Sequence, residues 1–281
     1  MPSMADLHHG AASGPVLSIL IPVYNEERTI VDVLRRVLAL GAIVHEVIVV
    51  DDGSTDGTAA SLETIKDLRV RVFRQPRNSG KTAAIRRALA EATGAVVIVQ
   101  DADLEYDPAE IPDVIAPILN GQADVVYGSR FLVRRATRVL YFYHYLANRT
   151  LTFLSNLLTN RNMSDIETCY KAFRAEVIKP LSLSSSGFGM EVEITAMVSK
   201  TIAVTYEVPI SYHGRTYQDG KKIGAVDGLQ AFWYIFYYNL VHPWTHRGRT
   251  YIDAVNAQLT ASRDASAPDE GPAPTGSRMP R

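Results

Sequence analysis

The stretch Val96-Val97-Ile98-Val99-Gln100-Asp101-Ala102-Asp103-Leu104-Glu105 decides how this chain is read. A short β-branched run follows Gly94, and polar residues begin where the run stops, as at the end of a buried strand. Moving outward, similar runs at Leu17 to Ile21, Val47 to Val50, Val70 to Phe73 and Val125 to Tyr127 alternate with segments of helical period. Ile30, Val33, Leu34, Val37 and Leu38 recur at three- and four-residue steps, and Ala83 to Ala92 repeats the idea in smaller residues. Alternation of this kind predicts an α/β fold, a mostly parallel sheet flanked by helices.

In open sheets of this class, ligands gather at the carboxyl ends of the strands. Three carboxylate-bearing segments fall there: Asn25-Glu26, Asp51-Asp52-Gly53-Ser54-Thr55-Asp56-Gly57 and Asp101-Ala102-Asp103-Leu104-Glu105. In an extended chain alternate residues face one side, so Asp101, Asp103 and Glu105 are expected to present a row of hard oxygen ligands. Such a row suits Mg²⁺ or Mn²⁺ and needs neither His nor Cys. A divalent ion there would stabilise the charge on a departing nucleoside diphosphate. A lone Asp-x-Asp is more often a solvated turn; its place at a strand end beside the other two segments reverses that reading. Asp51 to Asp56 also reads as a turn capped for the next helix, and the two readings are compatible.

At these residues the sequence resembles the family 2 glycosyltransferases of the GT-A fold, through Ile21-Pro22-Val23-Tyr24-Asn25-Glu26, Val49-Val50-Asp51-Asp52-Gly53-Ser54-Thr55-Asp56 and Gln100-Asp101-Ala102-Asp103. Within them it is most similar to the dolichyl- and polyprenyl-phosphate hexosyltransferases, from about Leu17 to Tyr238. The resemblance implies a GT-A type, Rossmann-like sheet. It also implies a nucleoside pocket lined by Pro22, Tyr24 and Glu26, with Asp52 on the base or ribose. Asp101, Ala102 and Asp103 match the metal and donor motif, with Asp103 the more direct ligand. Glu105 stands where several relatives carry Gln, which adds a charge to the expected metal set. Arg130, after the fifth strand, matches an Arg placed near the sugar or acceptor phosphate, and Arg suits bidentate phosphate contact. The ordinary alternative is an Arg paired with a core carboxylate. In relatives that glycosylate a hydroxyl, an acidic residue near Asp165-Ile166-Glu167 deprotonates the acceptor, and Asp165 is the candidate. Glu191 is expected to help order the site, and Glu193 to serve either there or in the scaffold.

Lys81, in Asn78-Ser79-Gly80-Lys81, lacks the glycine spacing of a phosphate-binding loop, which excludes an NTPase; at a helix start it can steady the donor. Arg215 and Lys221, in the Gly-containing stretch from Tyr212 to Ile223, are expected to fold over the donor diphosphate and exclude water. Cys169 reads as a packed thiol.

The 281 residues, 47% hydrophobic, suffice for one large α/β unit; 29 basic against 30 acidic residues give a net charge of −1, which argues against nucleic acid as a partner. One cysteine fits a reducing compartment, and the first fifteen residues lack a signal-peptide pattern, so a cytoplasmic location is expected. The expected divisions are a disordered segment 1–15, a nucleotide-sugar-binding half 16–130, an acceptor-binding half 131–253 with C-terminal amphipathic helices, and a disordered tail 254–281. Arg134, Arg135, Arg138 and Arg149 among Tyr141, Phe142, Leu146, Phe153 and Leu157 suit a helix on an anionic lipid surface, as does the aromatic run Phe232 to Tyr238. That run is too short to span a bilayer.

A lipid-linked phosphate is then the expected acceptor. Already ionised, it attacks without a strong base when Arg130 and Arg149 screen it from the donor. The expected reaction is inverting transfer of a hexose from a UDP- or GDP-sugar to polyprenyl or dolichyl phosphate at the cytosolic face of a membrane. Transfer to a glycan or glycolipid hydroxyl, with Asp165 as base, is the alternative. Retention of Asp101 and Asp103 argues against a nucleotide-sugar binding module without turnover, and the lack of a Gly-rich turn after the first strand against a nucleotidyltransferase.

Overall fold

The computed structural model describes residues 16–132, 141–187, 189–214 and 225–266. The first half alternates as its apolar pattern requires: β1 (Leu17–Val23), α1 (Ile30–Leu38), β2 (Val44–Asp51), α2 (Thr58–Glu63), β3 (Val70–Arg74), α3 (Lys81–Glu91), β4 (Val96–Val99), α4 (Ile111–Leu119) and β5 (Val125–Ser129). All four residues of β4 are buried, and α1 turns Ile30, Val33, Leu34 and Val37 into the core. After β5 come α5 (Phe142–Thr159), β6 (Lys171–Arg174), α6 (Ala175–Ile178), α7 (Gly189–Val198), β7 (Thr205–Pro209), α8 (Ala225–Phe236) and α9 (His246–Ser266).

The seven strands form one sheet in the order β3-β2-β1-β4-β6-β5-β7. Strands β1 to β4 are mutually parallel where they pair, and β5 is parallel to β7. Strand β6 runs antiparallel between β4 and β5. Register carries Val23 opposite Asp51 and Leu20 opposite Val99, so the segments that follow β1, β2 and β4 emerge along one rim.

One expectation needs correction. The chain from Ala254 was expected to be disordered, but α9 continues to Ser266 because Tyr251, Val255 and Leu259, spaced four apart, form a buried stripe. Residues 267–281, like 1–15, lie outside the described residues. The amphipathic helix expected after Arg130 exists as α5: Thr152, Ser155 and Thr159 are buried, Leu151, Leu154 and Leu158 pack inward beside them, and Phe142, Tyr143, Leu146, Phe153 and Leu157 are exposed, as on a helix with an outward apolar face. Small residues let α5 approach the body closely, and Thr152 Oγ1 accepts a hydrogen bond from Ile166 N. Arg134, Arg135 and Arg138 fall outside the described residues.

Candidate active site

The rim holds a cavity of about 360 Å³ lined by Pro22, Tyr24, Glu26, Asp52, Lys81, Asp101, Ala102 and Asp103, among others. Eight residues picked out by sequence therefore share one wall. Its construction follows from the loops. Ser54 Oγ accepts from Asn25 N (3.0 Å), Thr58 Oγ1 from Glu26 N (2.9 Å), and Asn25 Oδ1 from Thr55 N (2.8 Å), which laces the loop after β1 to the loop after β2. Asp56 accepts from Thr58 N, the turn-capping role read from its type and place. Gly53 sits at φ +73°, where a Cβ would lie 2.7 Å from the Arg77 backbone, so the neighbouring loop can approach only a glycine. Thr29 Oγ1 joins the third segment, donating to Ala102 O at 2.7 Å. It was not singled out by sequence, because nothing local marks a Thr that bridges 73 residues.

Asp52 has a more structural part than expected. Its carboxylate accepts from Ser79 N (2.9 Å) and Gly80 N (2.7 Å), which pins the 77–80 loop and the start of α3 against the cavity. Burial pushes its acid up despite those two bonds.

The expected row of three carboxylates is not formed. Leu104 adopts φ +62° and turns the chain, so the strand alternation that would align Glu105 with Asp101 and Asp103 is lost. Glu105 instead accepts from the Tyr212 hydroxyl at 2.7 Å, and Asp103 Oδ1 accepts from Glu105 N at 3.0 Å. Among the described residues no group of three His, Cys, Asp or Glu is arranged to hold a metal. Asp101 and Asp103 nevertheless both line the cavity. Two hard carboxylates suit an ion of the Mg²⁺ type, which is commonly held by one or two carboxylates together with substrate phosphates and water.

Lys81, the first residue of α3, reaches into this wall. Its Nζ lies 2.9 Å from Asp101 Oδ1 and 3.5 Å from Glu191 Oε1. Burial works against its charge, but the Asp101 and Glu191 carboxylates outweigh it and hold the ammonium well above its ordinary range. Glu191, expected to help order the site, stands beside it through this contact. Glu193 is a scaffold group: fully buried, it accepts from Ser184 N, Ser184 Oγ and Ser185 N.

Arg130 and Asp165, assigned to catalysis by sequence, are paired with each other. Arg130 Nε and Nη2 each donate to an Asp165 oxygen at 2.7 Å, and its backbone N donates to Oδ2 at 3.2 Å. Asp165 is 0% exposed and Arg130 8%. The expectation of Asp165 as a general base is corrected: its oxygens are occupied by a bidentate cation and sealed from an acceptor. The guanidinium also lies over the Tyr212 ring, 5.2 Å from its centroid, which links it through Tyr212 to Glu105. Arg149 is exposed on α5 and donates to Ser164 O at 3.4 Å, next to the pair. Arg215 and Lys221 fall outside the described residues.

Sequence reasoning passed over Glu167 and Lys171. Glu167 Oε1 is buried with no hydrogen-bond partner, and burial together with Glu191 pushes its acid well above the carboxylate range. Lys171 Nζ donates to Thr168 O and sits over the Tyr127 ring. Spacing gave no signal for either: Lys171 opens β6, which sequence did not show, and Glu167 lies in the segment before it. Cys169 is buried with its thiol pushed up by burial, as a packed thiol should be.

Comparison with known proteins places this geometry. Residues 18–181, more than half the chain, match the family model described as Glycosyl transferase family 2. Dolichol-phosphate mannosyltransferase of Pyrococcus furiosus is 31% identical over 213 residues, covering 74% of this chain and 60% of the relative. Dodecaprenyl-phosphate galacturonate synthase of Rhizobium johnstonii is 27% identical, covering 73% and 61%. The matched part therefore spans about three-fifths of the length of these curated relatives. Among solved structures, glucosyl-3-phosphoglycerate synthase of Mycobacterium tuberculosis in complex with uridine diphosphate superposes with a TM-score of 0.66 at 21% identity, covering 85% of this chain and 84% of that one. The same enzyme with Mn²⁺, uridine diphosphate and phosphoglyceric acid gives 0.65 at 20%, covering 85% and 83%. The fold is thus shared with those enzymes, and the strand-end segments that build the cavity lie within the matched region: the chain belongs to the family 2 glycosyl transferases.

Proposed function

We propose that the chain moves a hexose from a UDP- or GDP-sugar to a polyprenyl or dolichyl phosphate, with inversion, at the cytosolic face of a membrane. The observation that carries this reading is the cavity in which Pro22, Tyr24, Glu26 and Asp52 stand beside Lys81, Asp101 and Asp103. The first four form the nucleoside end and the last three the diphosphate end. Asp101 and Asp103 would hold Mg²⁺ or Mn²⁺; when bound, such an ion neutralises charge on the departing diphosphate. Lys81 adds a fixed cation at the same end. Relatives whose names carry dolichol-phosphate and dodecaprenyl-phosphate, and the solved structures holding Mn²⁺ with uridine diphosphate, support the acceptor class and the metal.

Arg130 is the pre-organised cation for the acceptor phosphate. Asp165 fixes its fork, so little side-chain entropy would be lost in contacting a phosphate. Arg149 extends this positive edge along α5. The exposed apolar face of α5, with Tyr143 at 81% and Leu157 at 68%, and Trp233 on α8 suit the headgroup boundary of a bilayer. No helix among the described residues is long and apolar enough to cross one. The division into a donor half 16–130 and an acceptor half 131–253 is part of the same proposal.

A panel of UDP- and GDP-sugars, incubated with polyprenyl phosphate with and without Mn²⁺ and followed by mass analysis of the lipid, tests the reading. A metal-dependent glycolipid from one donor is expected; no glycolipid from any donor refutes it.

A further inference from the structure

The ammonium of Lys81 stands on the carboxylate that the proposed function gives to a divalent cation. At 2.9 Å from Asp101 Oδ1 it is in direct ion-pair contact, and Asp101 belongs to the cavity wall. The other side of Lys81 is not solvent alone: Glu191, buried in the first turn of α7, lies 3.5 Å from the same Nζ. Lys81 therefore has two acidic partners, one in the cavity wall and one behind it. Its origin is fixed, because it begins α3 directly after Gly80, whose N–H is held by Asp52. Movement of the ammonium between its partners needs only side-chain rotation.

We infer that Lys81 is a placeholder cation on Asp101, which makes divalent-metal binding weak in the absence of nucleotide and couples metal uptake to the arrival of the diphosphate. The inference rests on the reading that Asp101 and Asp103 hold the metal. Two cations brought to one carboxylate in a partly enclosed cavity repel each other, so a metal alone must displace Lys81 without compensation. A nucleoside diphosphate brings its own negative oxygens. Lys81 then turns to the diphosphate while Glu191 steadies it from behind, and Asp101 is released. By linkage, each ligand strengthens the other by the same factor. Lys81 is a positioning residue in this scheme, and its effect differs in sign between the two states of the site.

That sign difference is the test. Mn²⁺ binding is followed by the electron paramagnetic resonance signal of the free aqueous ion, without nucleotide and with saturating UDP or GDP in separate arms. Wild type is compared with Lys81→Met, which removes the charge, and Lys81→Arg, which keeps it. Lys81→Met is expected to tighten nucleotide-free Mn²⁺ binding about tenfold and to weaken binding in the presence of the nucleotide. Lys81→Arg is expected to stay within about threefold of wild type without nucleotide. Circular dichroism checks the fold; if Lys81→Met does not fold, Lys81→Gln is used with the same expected signs. No tightening without nucleotide, or equal tightening in both arms as from a distant background charge, overturns the inference while leaving the metal reading in place. Absence of Mn²⁺ binding by wild type even with either nucleotide removes both.

Discussion

Replacing Asp165 by Asn removes the carboxylate on which Arg130 is built. The side chain is fully buried, receives two guanidinium bonds of 2.7 Å, and has its own backbone N–H donated to Glu207 Oε1 at 3.2 Å. Asn retains the shape and one acceptor oxygen but leaves a buried cation without a counter-charge. Breaking a buried pair from one side costs about 3–5 kcal/mol, whereas replacing both members by apolar residues of similar volume is often close to neutral. For a chain of this size 4 kcal/mol corresponds to a fall in melting temperature of about 7 °C. Thermal melts of Asp165→Asn, Arg130→Met and the combination Asp165→Leu with Arg130→Met measure this. The single variants are expected to fall well below wild type and the double variant to recover most of the loss. Turnover of the double variant should be no lower than that of Arg130→Met, because Asp165 acts only through the guanidinium. The reasoning is refuted if Asp165→Asn melts with wild type yet loses all turnover, which would return Asp165 to the role of base, or if the double variant loses the sum of the singles.

Gly53→Ala is expected to lower stability by about 1–2 kcal/mol from its left-handed φ alone, and more from the Arg77 contact; it should also weaken UDP or GDP binding by calorimetry, because Asp52 is the next residue. Glu46 supplies an acid-sensitive anchor. Burial opposes its ionisation, but hydrogen bonds from Thr93, Ser18 and Arg71 outweigh burial and lower its acid from 4.5 to about 2. A depressed folded-state value stabilises above 4.5 and is lost as pH falls toward 2, so Glu46→Gln should cost roughly 2 kcal/mol at pH 7 and much less near pH 2, after allowance for the half-exposed Arg71. Denaturant melts of both proteins at the two pH values check it; a pH-independent difference counts against the assignment. Phe153→Ser with Trp233→Ser should reduce sedimentation with vesicles containing anionic lipid while leaving the melting temperature within about 2 °C, since both side chains are already exposed. Unchanged sedimentation would remove the lipid-facing role of α5 and α8.

The donor half was legible because buried parallel strands read as apolar runs and their polar ends mark the rim. The five expected strands all exist, each within a few residues of its expected bounds. Strand β6 was not legible: Lys171-Ala172-Phe173-Arg174 is short, begins and ends on a cation, and gains its strand character from β4 and β5 on either side. Strand β7 sits at the edge, mixes Glu207 with Pro209, and offers no clean alternation. At the site, residue types and spacing found the cavity wall but not the partners. Nothing local announces that Asp165 points at Arg130 or that Leu104 turns Glu105 toward Tyr212. Composition misread α9, whose buried Tyr251, Val255 and Leu259 are diluted by a polar exterior.

The antiparallel strand β6 also sets an order of assembly. Strands β1 to β4 pair only with one another until β6 arrives, and every element needed for that subsheet has been made by Val99. The far edge of β4 then waits for Lys171–Arg174, while β5 waits for both that strand and Thr205–Pro209. Synthesis at about 5–20 residues per second leaves the apolar edge of a nascent β1–β4 sheet uncovered for several seconds. An open edge in a partly made chain is a template for pairing with another chain. Lesions that weaken β6 should therefore show first as poor soluble yield during expression, before any change in the finished protein's melting temperature.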